Sequence, residues 1–348
     1  MSILSSIGGI VPDQARLRER IAVLTRQVST GEVGQTHGAL GFDARQAIDL
    51  RGDVARREAY IGATATALGR MGATQSVLGR LETIVQQTAA EALRARTLGA
   101  AAVVQLTQSA RLALEEAAAL LNARHGGEYL FAGSNLALAP VPGAEGIATG
   151  PMAAGIATAV AALDPDPANL GPLLAATATA ATDPATTPFN AWLEGPGLAD
   201  PRRAVVVADG ERVAWGVLAN QDQAGGSAAA WGREMLRGLA TLAALTPASV
   251  AQGAGYDALL QAVGTALGTA RTGIAEERSV LGANEQRVTA TRERHADLLV
   301  ALRAQLGRVE EVDVAEATSR LRQAELRLSA SYETTGMIAR LSLAALLR

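Results

Sequence analysis

IAEERSVLGANEQRVTATRERHADLLVALRAQLGRV (274–309) carries Ile274, Leu281, Val288, His295, Leu302 and Val309 seven residues apart without a slip. A position that recurs every seven residues returns to one face of a helix and asks for a partner helix along its length. The companion positions of that seam are mostly polar before Leu298. The seam is therefore expected to be thin at first and stronger towards Val309. His295, at a seam position, reads as a polar residue that sets register or meets a hydrogen-bond partner. The pattern breaks at Glu310-Glu311-Val312-Asp313. Asp313 and Glu316 then have the spacing of a capping box for a new helix. That last helix repeats Ala317, Leu321, Ala324, Leu328, Ser331, Thr335 and Ile338 at alternating steps of three and four.

The other end of the chain has the same texture. Leu17, Ile21, Leu24 and Val28 form one apolar stripe, with Pro12 and Asp13 as its expected start and Ser29-Thr30-Gly31 as its end. A glycine-bearing irregular stretch follows to Gly41. A second pattern through Leu50, Val54, Ile61, Leu68, Met71, Leu78, Val85 and Ala92 predicts a helix over 47–96. Unbroken, it would be roughly 75 Å long. Gly62, Gly69, Gly72 and Gly79 fall inside it, each costing about 1 kcal/mol against alanine. Either they weaken the helix or another helix packs close against them. A third helix is expected over 101–123, through Val103, Leu106, Ala110, Ala113, Ala117 and Leu120, stopped by His125-Gly126-Gly127.

Residues 135 to about 228 are rich in Pro, Gly, Thr, Asp and Ala, without long helical periodicity. RAVVVADGERVAWGVLA (203–219) is sharper: two β-prone runs flank Asp209-Gly210. That pair predicts a hairpin with a type I′ turn. The stretch 143–187 suits ordered loops with a short helix or two. Helical pattern returns at Trp231, through Met235, Leu239 and Leu242, and again from Tyr256. The fold class is mainly α with a β-rich insert. The N- and C-terminal heptad helices are expected to pack on each other as an elongated bundle or coiled coil, with the middle section projecting outward.

Composition narrows the function. Among 348 residues there is no cysteine, which excludes disulfides, zinc thiolates and thiol catalysis. Basic residues number 31 against 34 acidic, a net charge of −3, and no basic patch is interleaved with aromatics. Nucleic acid is not an expected partner. The first residues lack a basic start and a long apolar run, so no cleaved secretory signal is expected. No uncharged apolar stretch is long enough to span a membrane, so no membrane insertion is expected. His37, His125 and His295 are scattered and without ligand spacing. The glycines of 31–41 match neither a phosphate loop nor a dinucleotide fingerprint. Glu115-Glu116 and Glu310-Glu311 are adjacent pairs that diverge on a helix. No catalytic, cofactor-binding or metal-binding residues are assigned, and an enzyme is not expected.

LTRQVSTGEVGQTHGALGFDARQAIDLRGDVA (24–55) resembles the N-terminal block of the flagellin family. There a heptad helix ends in a Ser-Thr/Ser-Gly step, passes through a loop and re-enters a long helix. RVEEVDVAEATSRLRQAELRLSASYETTGMIARLSLAALL (308–347) is similar to that family's C-terminal block, which has an acidic opening and a Leu-Ser-Leu run near its end. The resemblance covers residues 1–135 and 250–348. GGEYLFAGSN (126–135) is similar to the G-x-Y-L-F-x-G-S segment of the branch that joins hook to filament. SYETTGMIARLSLAALL is also closer to that branch. The loop GALGFDAR (38–45) lacks the common S-D-D-P form, and the terminal Leu-Leu-Arg resembles the filament branch. The filament subunit stays as the alternative. A secreted coiled-coil adhesin or injectisome tip protein is a rival outside the family.

The resemblance implies a structural subunit of the bacterial flagellum, located outside the cell and exported unfolded through the flagellar type III route. Its partners would be copies of itself, a neighbouring hook-associated protein and flagellin, and an export chaperone. Residues 1–30 and 318–348 would be the assembly segments, poorly ordered until neighbouring subunits cover them. Leu17, Ile21, Leu24 and Val28 would face Leu321, Ala324, Leu328, Ile338 and Leu341. Residues 31–134 and 250–317 would form the rod, and 135–249 a variable β-containing outer domain. Tyr129 and Phe131, two apart in an extended segment, would face one side and seal the bundle where the chain leaves the rod.

Overall fold

The long apolar periods become long helices. A computed structural model describes residues 3–34, 36–221 and 230–346, except for the side chains of 3–11, 37, 339 and 341–346. Helix α1 spans Ile3–Thr30, α2 Ala44–Leu98 and α3 Ala100–Leu121. A two-residue pair of strands follows, β1 Arg124–His125 and β2 Glu128–Tyr129. The insert holds α4 Pro151–Ala161, α5 Leu170–Thr182, the short α6 Pro196–Ala199, and the hairpin β3 Ala204–Ala208 with β4 Glu211–Ala214. Then come α7 Trp231–Ala243, α8 Ala254–Glu310 and α9 Val314–Leu346. The fold is mainly α, with a β-containing insert between terminal helices. The expected short helices of 143–187 are α4 and α5.

Several local expectations are corrected. Helix α1 begins at Ile3, so Pro12 lies inside it rather than at its start. The double glycine does not stop α3, whose C-cap is Asn122. Gly126 and Gly127 both take positive φ, 59° and 85°, and turn the chain between His125 and its partner Glu128. Two consecutive positive-φ residues are what a tight hairpin asks for. At Asp209-Gly210 only Gly210 has positive φ, so the predicted hairpin forms without a type I′ turn. A register shift between Val206 and Ala208 accompanies it.

The chain forms two compact units, residues 1–59 with 294–348 and residues 60–293. The second owns the contiguous apolar core, drawn from Ala67 to Val288. There α3 packs on α7 and α4 on α5. Phe131 and Trp231 meet edge to face at 6.0 Å. Arg233, almost wholly buried, clamps Glu194 with two bonds of 2.8 and 3.0 Å and lies over the Phe189 ring. In the first unit the described buried residues are few: Leu24, Ala47, Leu50, His295, Leu299, Ala317 and Ala324.

The seam of α8 runs opposite to expectation. Ile274, Leu281 and Val288 are fully buried, whereas Leu302 and Val309 are half-buried and Leu298 is 49% exposed. The polar companions explain it. Glu277 is buried against Arg202, which donates to both carboxylate oxygens at 2.8 and 2.9 Å. The Asn284 amide donates to the Ala214 carbonyl at 2.7 Å. The insert therefore satisfies polar groups that the sequence suggested would thin the seam.

Candidate assembly surface

Helices α1 and α9 pack antiparallel along their apolar stripes. At one end Glu32 forms an antiparallel bridge with Glu311. The Val33 amide donates to the Glu310 carbonyl at 2.7 Å and the Val312 amide to the Gly31 carbonyl at 2.8 Å. Further along, the Gln14 amide donates to the hydroxyls of Ser331 and Thr335 at 3.1 and 3.0 Å. Arg18 donates to the Tyr332 hydroxyl at 2.7 Å and lies over its ring.

Asp313 opens α9 as the spacing predicts, its carboxylate accepting from the amides of Ala315 and Glu316. The Glu316 side chain accepts from Arg320 one turn on, an ordinary i,i+4 helix pair. Leu24 and Ala324 are buried, while Leu17, Ile21, Val28, Leu321, Leu328 and Ile338 are half-buried. The side chain of Leu341 lies outside the described residues. Gln14, Arg18 and Tyr332, which tie the two helices together, were missed by a reading that followed only apolar periodicity.

Two helices with a single shared stripe leave most of their surface uncovered. Val23, Leu326, Tyr332 and Met337 are all more than 40% exposed. Isolated helices of this length draw their stability from packing rather than propensity. The pair is thus an incompletely buried element.

Residues 265–347 match the bacterial flagellin C-terminal helical region. The match begins inside α8 and takes in all of α9 that is described, including Leu321, Ala324, Leu328 and Ile338. No curated protein sequence matches the chain. A putative flagellar hook-associated protein from Vibrio parahaemolyticus shares its fold, with a TM-score of 0.52 at 13% identity. That similarity covers 77% of this chain and 97% of the Vibrio one. At such identity it speaks for the fold alone.

Outside the flagellin match, Tyr129 and Phe131 separate instead of sealing one side together. Phe131 is fully buried, and its carbonyl accepts from the Ala219 amide at 3.3 Å. Tyr129 is only half-buried, in β2, with Arg124 stacked 4.1 Å from its ring centre. Leu130, between them, is buried as well. The turn at Gly126-Gly127 fixes this outcome, because it places Tyr129 opposite Arg124. Nearby, Glu128 pairs with Arg203 and with Arg70. Those two cations hold its carboxyl below the usual range, Arg203 contributing most. Among the described residues no group of three or more His, Asp or Glu is placed to hold a metal ion. No described helix is long and apolar enough to cross a membrane.

Proposed function

We propose that the chain is a structural subunit of the bacterial flagellum that works by assembly, and that within the flagellum it joins hook to filament. The observation that carries this is the coincidence of two facts. The flagellin match runs through most of α8 and on through α9, and α9 with α1 is the part of the molecule whose apolar stripe its own chain leaves half covered. Neighbouring subunits would cover the remainder. On this reading residues 1–30 and 318–348 are the assembly segments, 31–134 with 250–317 the rod, and 135–249 the outer domain. Head-to-tail contacts of this kind build open helical or layered structures. Partners would be further copies, a neighbouring hook-associated protein, flagellin, and an export chaperone. The subunit would lie outside the cell.

The GGEYLFAGSN segment favours the junction role over the filament. The flagellin match supports the filament subunit as the second reading. Deleting the gene separates them. Non-motile cells that keep hooks but shed flagellin into the medium are the expected result. Cells whose medium and surface lack the main filament protein would make this chain the flagellin. Unimpaired swimming would reject both.

A further inference from the structure

The chain has five methionines and no cysteine, so its oxidisable sulfur is all thioether. Met71, Met152 and Met235 are buried members of the contiguous apolar core. The side chain of Met1 lies outside the described residues. Met337, on α9, is 56% exposed. A packed core keeps oxidants from three of these sulfurs, whereas the Met337 side chain stands more than half in solvent.

The position of Met337 on α9 matters as much as its exposure. Thr335 faces α1, where it accepts from Gln14 at 3.0 Å. Two residues further on is about 200° around a helix, so Met337 points the other way. Eleven residues make roughly three turns, which puts Met337 on one face with Leu326, and Ala330 lies between them. Leu326, Ala330 and Met337 are all exposed, with the exposed Glu333 among them. Helix α9 therefore has one apolar face on α1 and a second that the described residues leave bare.

We propose that Met337 is an oxidation site that controls assembly. A peroxide reaching the unassembled subunit transfers an oxygen atom to the thioether. The O–O bond breaks, an S–O bond forms, the sulfur is oxidised to the sulfoxide, and the peroxide is reduced, hydrogen peroxide leaving as water. The sulfoxide is a polar group on an apolar face, and covering it without a hydrogen-bond partner costs free energy. The oxidised subunit is thus held back from assembly, while in an assembled subunit the neighbours that cover this face shield the sulfur. Methionine sulfoxide reductases reverse the change. The proposal rests on the reading of the chain as an assembling subunit, and it adds a modification site and its reagent class.

The test treats the purified full chain with hydrogen peroxide and reads each methionine peptide by mass spectrometry. Met337 should gain oxygen while Met71, Met152 and Met235 stay reduced, with the far-UV helical signal unchanged. The oxidised chain should need a roughly tenfold higher concentration to self-associate, as covering an unpaired polar group predicts. Reduction by methionine sulfoxide reductases should restore the parent behaviour. Met337→Leu should keep its self-association through the same treatment, which separates this sulfur from that of Met1. In cells carrying each variant as the only copy, Met337→Leu should swim as the parent does, and Met337→Gln, a permanently polar substitute, should swim poorly. Met337 left reduced, an oxidised chain or a Met337→Gln strain that assembles as the parent does, equal loss in Met337→Leu, or a fall in helical signal overturns the proposal and leaves the flagellar role standing. Normal swimming without the gene removes the flagellar role, and the proposal with it.

Discussion

Glu285 lies on α8 between the buried Leu281 and Val288, with one carboxylate oxygen enclosed and lacking a hydrogen-bond partner. Two turns earlier on the same helix, Glu277 is more deeply buried but receives two bonds from Arg202. The pair illustrates that a buried carboxylate is tolerated when it is matched and costs stability when it is not. Burial pushes the Glu285 carboxyl above its ordinary pKa. The raised folded-state value means its stabilising contribution is complete below the unfolded-state pKa and is lost as pH rises through the folded-state value. Glu285→Gln removes the ionisation. The variant should therefore melt higher than the parent at pH 7, by about 1–2 °C, and converge with it in acid below the carboxylate range. A variant that melts lower at pH 7 would mean that the ionised carboxylate stabilises the fold.

Glycine acts differently in the separate helices. Sequence alone offers weakening or close approach as the meaning of the α2 glycines. Beside Gly62 and Gly72 there is open space, so no helix crowds them. Close approach occurs instead in α7 and α8. A Cβ on Gly232 would lie 1.9 Å from the Ala219 carbonyl oxygen, and one on Gly273 2.7 Å from the Trp231 Cβ. Gly232→Ala should cost about 3 kcal/mol, because backbone cannot step aside. Gly62→Ala should instead stabilise by about 0.5–1 kcal/mol. Chemical denaturation of the two variants checks both signs. The helices themselves were legible in the sequence, since periods of three and four over many turns have few other meanings. The stop at Thr30 and the Asp313 cap were legible for the same local reason. Where the reading failed, the cause was non-local. Nothing in α8 reveals that Arg202 and Ala214 will satisfy Glu277 and Asn284. Nothing in GGEYLF tells a helix stop from a hairpin turn, although the choice sends Tyr129 outward and Phe131 inward.

The contiguous core and the candidate assembly helices belong to different parts of the chain. The core draws only on residues 67–288, and neither α1 nor α9 supplies a member. Stability and assembly should therefore separate. Removing residues 318–348 takes away most of α9 and leaves that core intact. It also strips α1 of the partner that covers Leu24, and a lone helix without tertiary packing is marginal in water. The far-UV helical signal should fall by about the sum of the 28 residues of α1 and the 33 of α9, more than the deletion alone removes. The remaining helices should still melt cooperatively, and the truncated chain should stay monomeric at concentrations where the full chain self-associates. Circular dichroism with sedimentation velocity reads both. Loss of the cooperative transition would mean that the terminal pair supports the core. Continued self-association would place the assembly surface elsewhere than on α9.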